Sequence, residues 1–338
     1  MEKIQPNKLN NEQKFSLKTR VITALLLAAV VIPGIFVGHL YFLAIALFFT
    51  VVAGIEIVKV TKVEGKVRSI LFIFTILAML MLVYYVFVKN IIITARSGNE
   101  ITILNFLYAN LNDINISEMM IVIVAGVYFL ISFLTEKLSV TNVLYFIAMV
   151  VICSLGFQSL LYLRYVPFSA FEPLIGKSGI EAPLFMYCQS AFLILYVALG
   201  VLMNDMGAYF VGIFFGKHKM NPRISPKKTW EGFAGGIVIS MIFSLSFALI
   251  MSACKLDIHP LLTLKNWYWI LLISALMPVL GCIGDFVFSA IKRTFNVKDY
   301  SNIFPGHGGV LDRLDSMLFA SGLVAGMLVF LDFIGVVA

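Results

Sequence analysis

Residues 41–60 read YFLAIALFFTVVAGIEIVKV, twenty positions that hold one acid, Glu56, and one base, Lys59, near their end. A helix of that length rises about 30 Å, the thickness of a bilayer's hydrocarbon core. The apolar residues run on without alternating with polar ones, which excludes a strand of a membrane barrel. Eight more stretches read the same way, so spans are predicted at about 21–38, 41–60, 69–88, 118–135, 141–163, 184–203, 232–253, 267–288 and 313–337. Helices are the natural unit because lipid offers no partner for backbone N–H and C=O groups. Composition agrees: 61% of the 338 residues are hydrophobic and 13% are charged, against about 25% charged in soluble domains. Mean hydropathy is +0.98. The expected fold is all-α, a polytopic integral membrane helical bundle of about nine transmembrane helices.

The first twenty residues, MEKIQPNKLNNEQKFSLKTR, are polar and basic, and the apolar run Val21–Leu40 that follows contains Pro33 and Gly34. That run exceeds the core of a cleaved signal peptide, so it reads as a retained first helix behind a cytoplasmic tail. Net charge is +7, with basic clusters before the first span, after the second, before the seventh and after the eighth. An inside N-terminus places all four on the cytoplasmic side, as the distribution of Lys and Arg in membrane proteins requires. A multi-pass protein of the bacterial inner membrane is the expectation, and nothing in the chain points to nucleic acid. Cys153, Cys188, Cys254 and Cys282 are scattered and form no CxxC pair, so they read as small apolar residues. Asp205–Gly216, DMGAYFVGIFFG, is too short to span and too apolar for an exposed loop. It reads as a half-helix or re-entrant segment. Three regions follow: a tail at 1–20, a scaffold at 21–180 with few polar groups inside its spans, and a catalytic region at 181–338.

Chemistry concentrates in that last region. Ser289–Asp315 reads SAIKRTFNVKDYSNIFPGHGGVLDRLD between two apolar spans. Charge of that density beside a membrane is costly unless anions or metal ions compensate it. Asp285, Ser289 and the pair Lys292 and Arg293 share a helix face at i, i+4 and i+7/i+8. Gly308 and Gly309 free the backbone to bring N–H groups to an anion. Asp312 and Asp315 stand one turn apart at the start of the last helix. Asp285 with Asp312 offers hard oxygen ligands of the kind Mg²⁺ takes, and Arg313 can grip phosphate oxygens in pairs. A second basic stretch, Ser225-Pro226-Lys227-Lys228-Thr229-Trp230-Glu231-Gly232, can neutralise a polyphosphate through Lys227 and Lys228. Each feature also has a plain structural reading: helix-dipole complement for the acids, a positive-inside loop for the lysines, a turn residue for His307.

The arrangement SxxKRxxxxKDxSxxFPxHGGxxDRxD at Ser289–Asp315 resembles the signature of the phosphatidate cytidylyltransferases, or CDP-diacylglycerol synthases. SPKKTWEG at Ser225–Gly232 and DMGAYFVG at Asp205–Gly212 also resemble segments of that family, although Met206 departs from the smaller or polar residue expected there. The resemblance implies conversion of CTP and phosphatidate to CDP-diacylglycerol and pyrophosphate. It also implies Mg²⁺ dependence with Asp285 and Asp312 as ligands, a second cation beside them, and a homodimer. Lys227, Lys228, Lys292, Arg293 and Arg313 are the expected phosphate contacts, with Ser225, Thr229, Ser289, Lys298, His307, Gly308 and Gly309 lining the substrates and Asp315 in the catalytic group. Two rivals remain at this level: a membrane kinase that uses CTP to phosphorylate a lipid alcohol, and a transporter. The second would need a polar path through spans that are too apolar to supply one.

Overall fold

The computed structural model describes residues 11–95, 116–135, 138–169, 184–259 and 261–335. Among the described residues nine α-helices run α1 (Asn11–Val37), α2 (His39–Val60), α3 (Lys66–Ala95), α4 (Ile116–Leu134), α5 (Val140–Ser169), α6 (Leu184–Phe215), α7 (Trp230–Ala253), α8 (Trp267–Thr294) and α9 (Leu311–Phe333). Among the described residues, eight helices are long and apolar enough to cross a membrane, and a shorter apolar helix, Met119–Leu134, sits where the fourth span was expected. The protein is therefore an all-α, multi-pass membrane bundle. Helix α1 already begins at Asn11, so half of the expected tail is helical. The first ten residues, and the boundary placed at 180, lie outside the described residues.

Two expectations are corrected. Asp205–Gly216 is neither re-entrant nor a half-helix: it is the last third of α6, one unbroken helix of 32 residues. At 1.5 Å per residue α6 is about 48 Å long, so it outruns the hydrocarbon core at one end. It stays helical because α7 covers it closely. The buried stripe of α7 is Gly232, Gly236, Ser240, Ser244, Ala248 and Ser252, small residues at every fourth position. A Cβ on Gly236 would lie 2.8 Å from the Asn204 carbonyl, and one on Gly232 would lie 2.8 Å from that of Ala208. Ser240 also donates to the Gly200 carbonyl at 2.7 Å. Small residues of this kind let two membrane helices approach to backbone contact.

The second correction concerns Ser225–Thr229, expected as a loop. These residues form strand β2, paired antiparallel with β1 (Lys219–Asn221), with Lys219 opposite Thr229. The hairpin ends where Thr229 caps α7, its Oγ1 accepting from the Gly232 N–H at 3.1 Å. Glu231, in the first turn of α7, accepts from the backbone N–H groups of Lys217 (3.1 Å) and His218 (3.2 Å). The hairpin is thus fixed to the head of α7 from both sides. Among the described cysteines, Cys153 and Cys282 are buried as expected, whereas Cys254 is exposed.

Helices α1 to α5 pack conventionally. Tyr128 stacks on Phe146 with centroids 5.2 Å apart and shares a 2.7 Å hydrogen bond with Thr75. Helix α9 lies against both halves, so its first turn meets α2, α8 and the loop that precedes it.

Candidate active site

One end of the bundle gathers the head of α1, the end of α2, the end of α6, the hairpin, the end of α8 and the head of α9. Contacts across the chain prove the grouping. Thr23 of α1 donates to the Pro305 carbonyl at 3.2 Å. Glu56 of α2 accepts from the Leu311 N–H at 2.9 Å. Lys228 of the hairpin pairs with Asp285 of α8, and Lys292 of α8 pairs with Asp312 of α9 at 2.7 Å.

Asp285 stands near the inner face of α8 because Gly284 removes bulk at the crossing with α9. A Cβ on Gly284 would lie 2.7 Å from the Asp315 carbonyl. The neighbouring carboxylate gains an open position: its side chain keeps 27% of its exposure. Asp285 Oδ2 takes Lys228, and Oδ1 accepts from the Ser289 hydroxyl at 3.2 Å, one turn on. The Lys228 ammonium also sits over the Phe286 ring, 4.6 Å from its centroid. Asp205, at the end of α6, and Asp315, in α9, are both close enough to Asp285 to feel its charge. Asp285 thus has carboxylates of two other helices, α6 and α9, within electrostatic reach, and Lys228 as its ion-pair partner.

Asp312 is held differently. Its side chain is 4% exposed and that of Lys292 is 10% exposed. Oδ1 accepts from Lys292, while Oδ2 accepts from the backbone N–H groups of Tyr300 (2.8 Å) and Gly309 (2.9 Å). The glycine-rich turn does cradle an anion, as its sequence led us to expect, but the anion is the protein's own carboxylate. Gly308, at φ +81°, has no room for a side chain, since a Cβ would approach Asp312 Oδ2 to 2.9 Å. Gly306 also adopts a positive φ, of +76°. Arg313 donates from Nε to the His307 carbonyl at 2.6 Å and so ties the turn to α9. Burial, then the charge of Arg313, pulls His307 below the ordinary imidazole range.

The remaining expected residues divide into two groups. Lys227 is exposed, and it lines, with Lys228, Thr229, Asp205 and Tyr209, a cavity of about 430 Å³ between the hairpin, α6 and α8. Arg293 and Lys298 do not face it. Arg293 turns to the carbonyls of Ile224 (3.4 Å) and Val297 (3.3 Å), bracing the hairpin. Lys298 is exposed on the loop after α8. Ser225 lies in β2 opposite Asn221. By sequence Asp205 suits either a cavity wall or a helix cap, and Glu56 has no assigned role. The available signal was the same for both: an ionisable residue within an apolar helix, which membrane helices carry only for a purpose.

The donor chemistry suits a hard divalent cation. Asp285 and Asp312, with Ser289, Asp205 and Asp315, supply only oxygen, the ligand type that such ions take. Among the described residues no group of three or more His, Cys, Asp and Glu is already closed round a point that could hold a metal ion. Lys228 and Lys292 supply the compensating charge instead.

A family model described as the cytidylyltransferase family matches residues 18–331. A protein named phosphatidate cytidylyltransferase from Bacillus subtilis (strain 168) is 48% identical over 126 residues, 37% of this chain and 43% of that protein. Namesakes from Staphylococcus epidermidis (strain ATCC 35984) and Staphylococcus aureus (strain COL) are each 42% identical, over 136 and 137 residues, covering 40% of this chain and 48% of theirs. The chain spans about half the length of the curated relatives it matches. Since the match to the family model runs through both the scaffold half and the site, this chain belongs to the cytidylyltransferase family.

Proposed function

We propose that the chain is a phosphatidate cytidylyltransferase of the bacterial inner membrane, with its site end facing the cytoplasm. A phosphatidate oxygen attacks the α-phosphorus of CTP; pyrophosphate leaves, and CDP-diacylglycerol remains in the bilayer. The observation that carries this reading is the ion pair of Lys228 with Asp285 at a 430 Å³ cavity that Lys227, Lys228 and Asp205 line. The names of the relatives agree with it.

Both substrates are polyanions, and bringing them together is most of the task. Lysines and arginines screen the repulsion and hold the reacting groups in line. Lys228 and Lys227 line the cavity and are the proposed contacts to the nucleotide phosphates. A phosphate monoester is already a competent nucleophile, so His307 need not act as a base. We propose Mg²⁺ as the cation, held by Asp285 and Asp312. Oδ1 of Asp312, now paired with Lys292, is the oxygen available, since two backbone amides occupy Oδ2. When bound, such an ion polarises phosphoryl oxygens and offsets their charge. The lipid needs a lateral approach for its acyl chains. An apolar cavity of about 630 Å³ between α1 and α2, ending on Phe304 and Pro305, offers one.

Purified protein in mixed micelles with CTP, phosphatidate and Mg²⁺ tests this reading. We expect stoichiometric release of pyrophosphate and of a CDP-lipid, both lost on omission of phosphatidate. Absence of release across a range of Mg²⁺ concentrations would return the chain to a non-enzymatic role.

A further inference from the structure

We propose that Glu56 is a positioning residue for this site, and that its carboxylate locks the glycine-rich loop of the catalytic half onto helix α2 of the scaffold half. The inference rests on the activity proposed above but uses contacts remote from the substrates.

Glu56 is 0% exposed and is the one acid of helix α2. An acid buried there without partners would be severely destabilising. It has three partners, all on one loop. Oε1 accepts from the Ser301 hydroxyl at 2.5 Å and from the Val310 N–H at 2.9 Å, and Oε2 accepts from the Leu311 N–H at 2.9 Å. Val310 caps α9 and Leu311 begins it, so these are donors that a helix start leaves unpaired, at the positive end of its dipole. Ser301 lies at the other end of the loop. Glu56 therefore clamps both ends of residues 301–311 at once.

The same loop fixes Asp312. Tyr300 and Gly309, each adjacent to a residue that Glu56 holds, donate their N–H groups to Asp312 Oδ2. Asp312 in turn fixes Lys292. The two carboxylates hold the same loop and share no donor. Gly309 shows how tight the junction is, since a Cβ there would lie 2.3 Å from Glu56 Oε1. A residue present only to fill space would not need to accept three hydrogen bonds. Glutamine has the same shape but offers an NH₂ group to donors that need an acceptor. Because Glu56 is fully buried, it acts on the reaction only through the loop.

Glu56→Gln tests the proposal in the full chain, in detergent. Two readouts are needed: kinetics of CDP-lipid formation, and hydrogen–deuterium exchange of peptides covering residues 300–311. We expect kcat to fall by about tenfold or more and loop exchange to quicken by a similar factor, as loss of hydrogen bonds to a charged group implies. KM for CTP should stay within about twofold, because the binding lysines are untouched. Ser301→Ala removes one donor from the same carboxylate and should cost less. Combined with Glu56→Gln it should add almost nothing, since residues of one network are not additive. Wild-type kcat and exchange in Glu56→Gln, or additive losses in the double variant, would overturn the proposal. If Glu56→Gln does not fold, Ser301→Ala alone decides: faster exchange across the loop supports the clamp, and unchanged exchange refutes it. A wild-type chain that turns over no CTP would sink the proposed activity, and the exchange data would still judge Glu56.

Discussion

Lys228 and Lys292 make the same kind of bond to different ends. Lys292 and Asp312 are buried together, with side chains 10% and 4% exposed, whereas Lys228 and Asp285 keep 30% and 27%. Removing one partner of a buried pair strands the other and costs about 3–5 kcal/mol, so Lys292→Met should lower the melting temperature markedly along with activity. Lys228→Ala should leave the melting temperature almost unchanged and raise KM for CTP; unchanged kinetics would remove Lys228 from the nucleotide site. Asp285→Asn should lower turnover by about 100-fold or more, the order expected for a group that stabilises transition-state charge, without unfolding the protein. Near-normal turnover would take Asp285 out of the reaction. The charged residues of the candidate site were legible from their charge within apolar surroundings. Their pairing was not. The i, i+7 spacing put Lys292 on the face of Asp285, yet it reaches across to Asp312 because α9 packs against α8 at Gly284. Tertiary crossings of that kind leave no mark in local periodicity.

At the level of elements, the helices were readable because twenty apolar residues in a row admit few alternatives. What sequence reasoning misplaced is the end of α6. Hydropathy alone cannot tell a new segment from a helix that outruns the bilayer. The deciding fact is the small-residue stripe of α7, which covers α6 through Gly232 and Gly236. That contact also carries Asp205 to its place. Gly236→Val should therefore force α6 and α7 apart, lower thermal stability and depress turnover together; full activity in that variant would show that the contact does not position Asp205. The hairpin was hidden for another reason: its strands have three and five residues, too few for alternation to emerge. Thr229 still gives it a testable anchor. Thr229→Ala removes the cap on α7 and should cost about 1 kcal/mol of stability, measurable as a lower midpoint in thermal unfolding.

Across the whole molecule the two ends of the bundle differ in chemistry. The site end collects the basic clusters and the carboxylates. The opposite end, between α7 and α8, holds His259, which is 9% exposed and accepts the Leu261 N–H on Nδ1 at 3.1 Å. Burial lowers its pKa to about 4, from 6.5. The unfolded chain therefore takes up a proton first as pH falls. Stability should be full above about pH 6.5 and decline towards pH 4, by up to about 3 kcal/mol. Thermal unfolding in detergent across that window checks this, and His259→Gln should flatten the profile. The site end carries the central claim, that these charges converge to join a nucleotide to a lipid phosphate. The most direct measurement follows label from CTP into the lipid. CTP labelled at its α-phosphate should yield labelled lipid, and CTP labelled at its γ-phosphate should yield only labelled pyrophosphate. Lipid labelled from the γ position alone would mean that the chain phosphorylates a lipid alcohol, and would contradict the account.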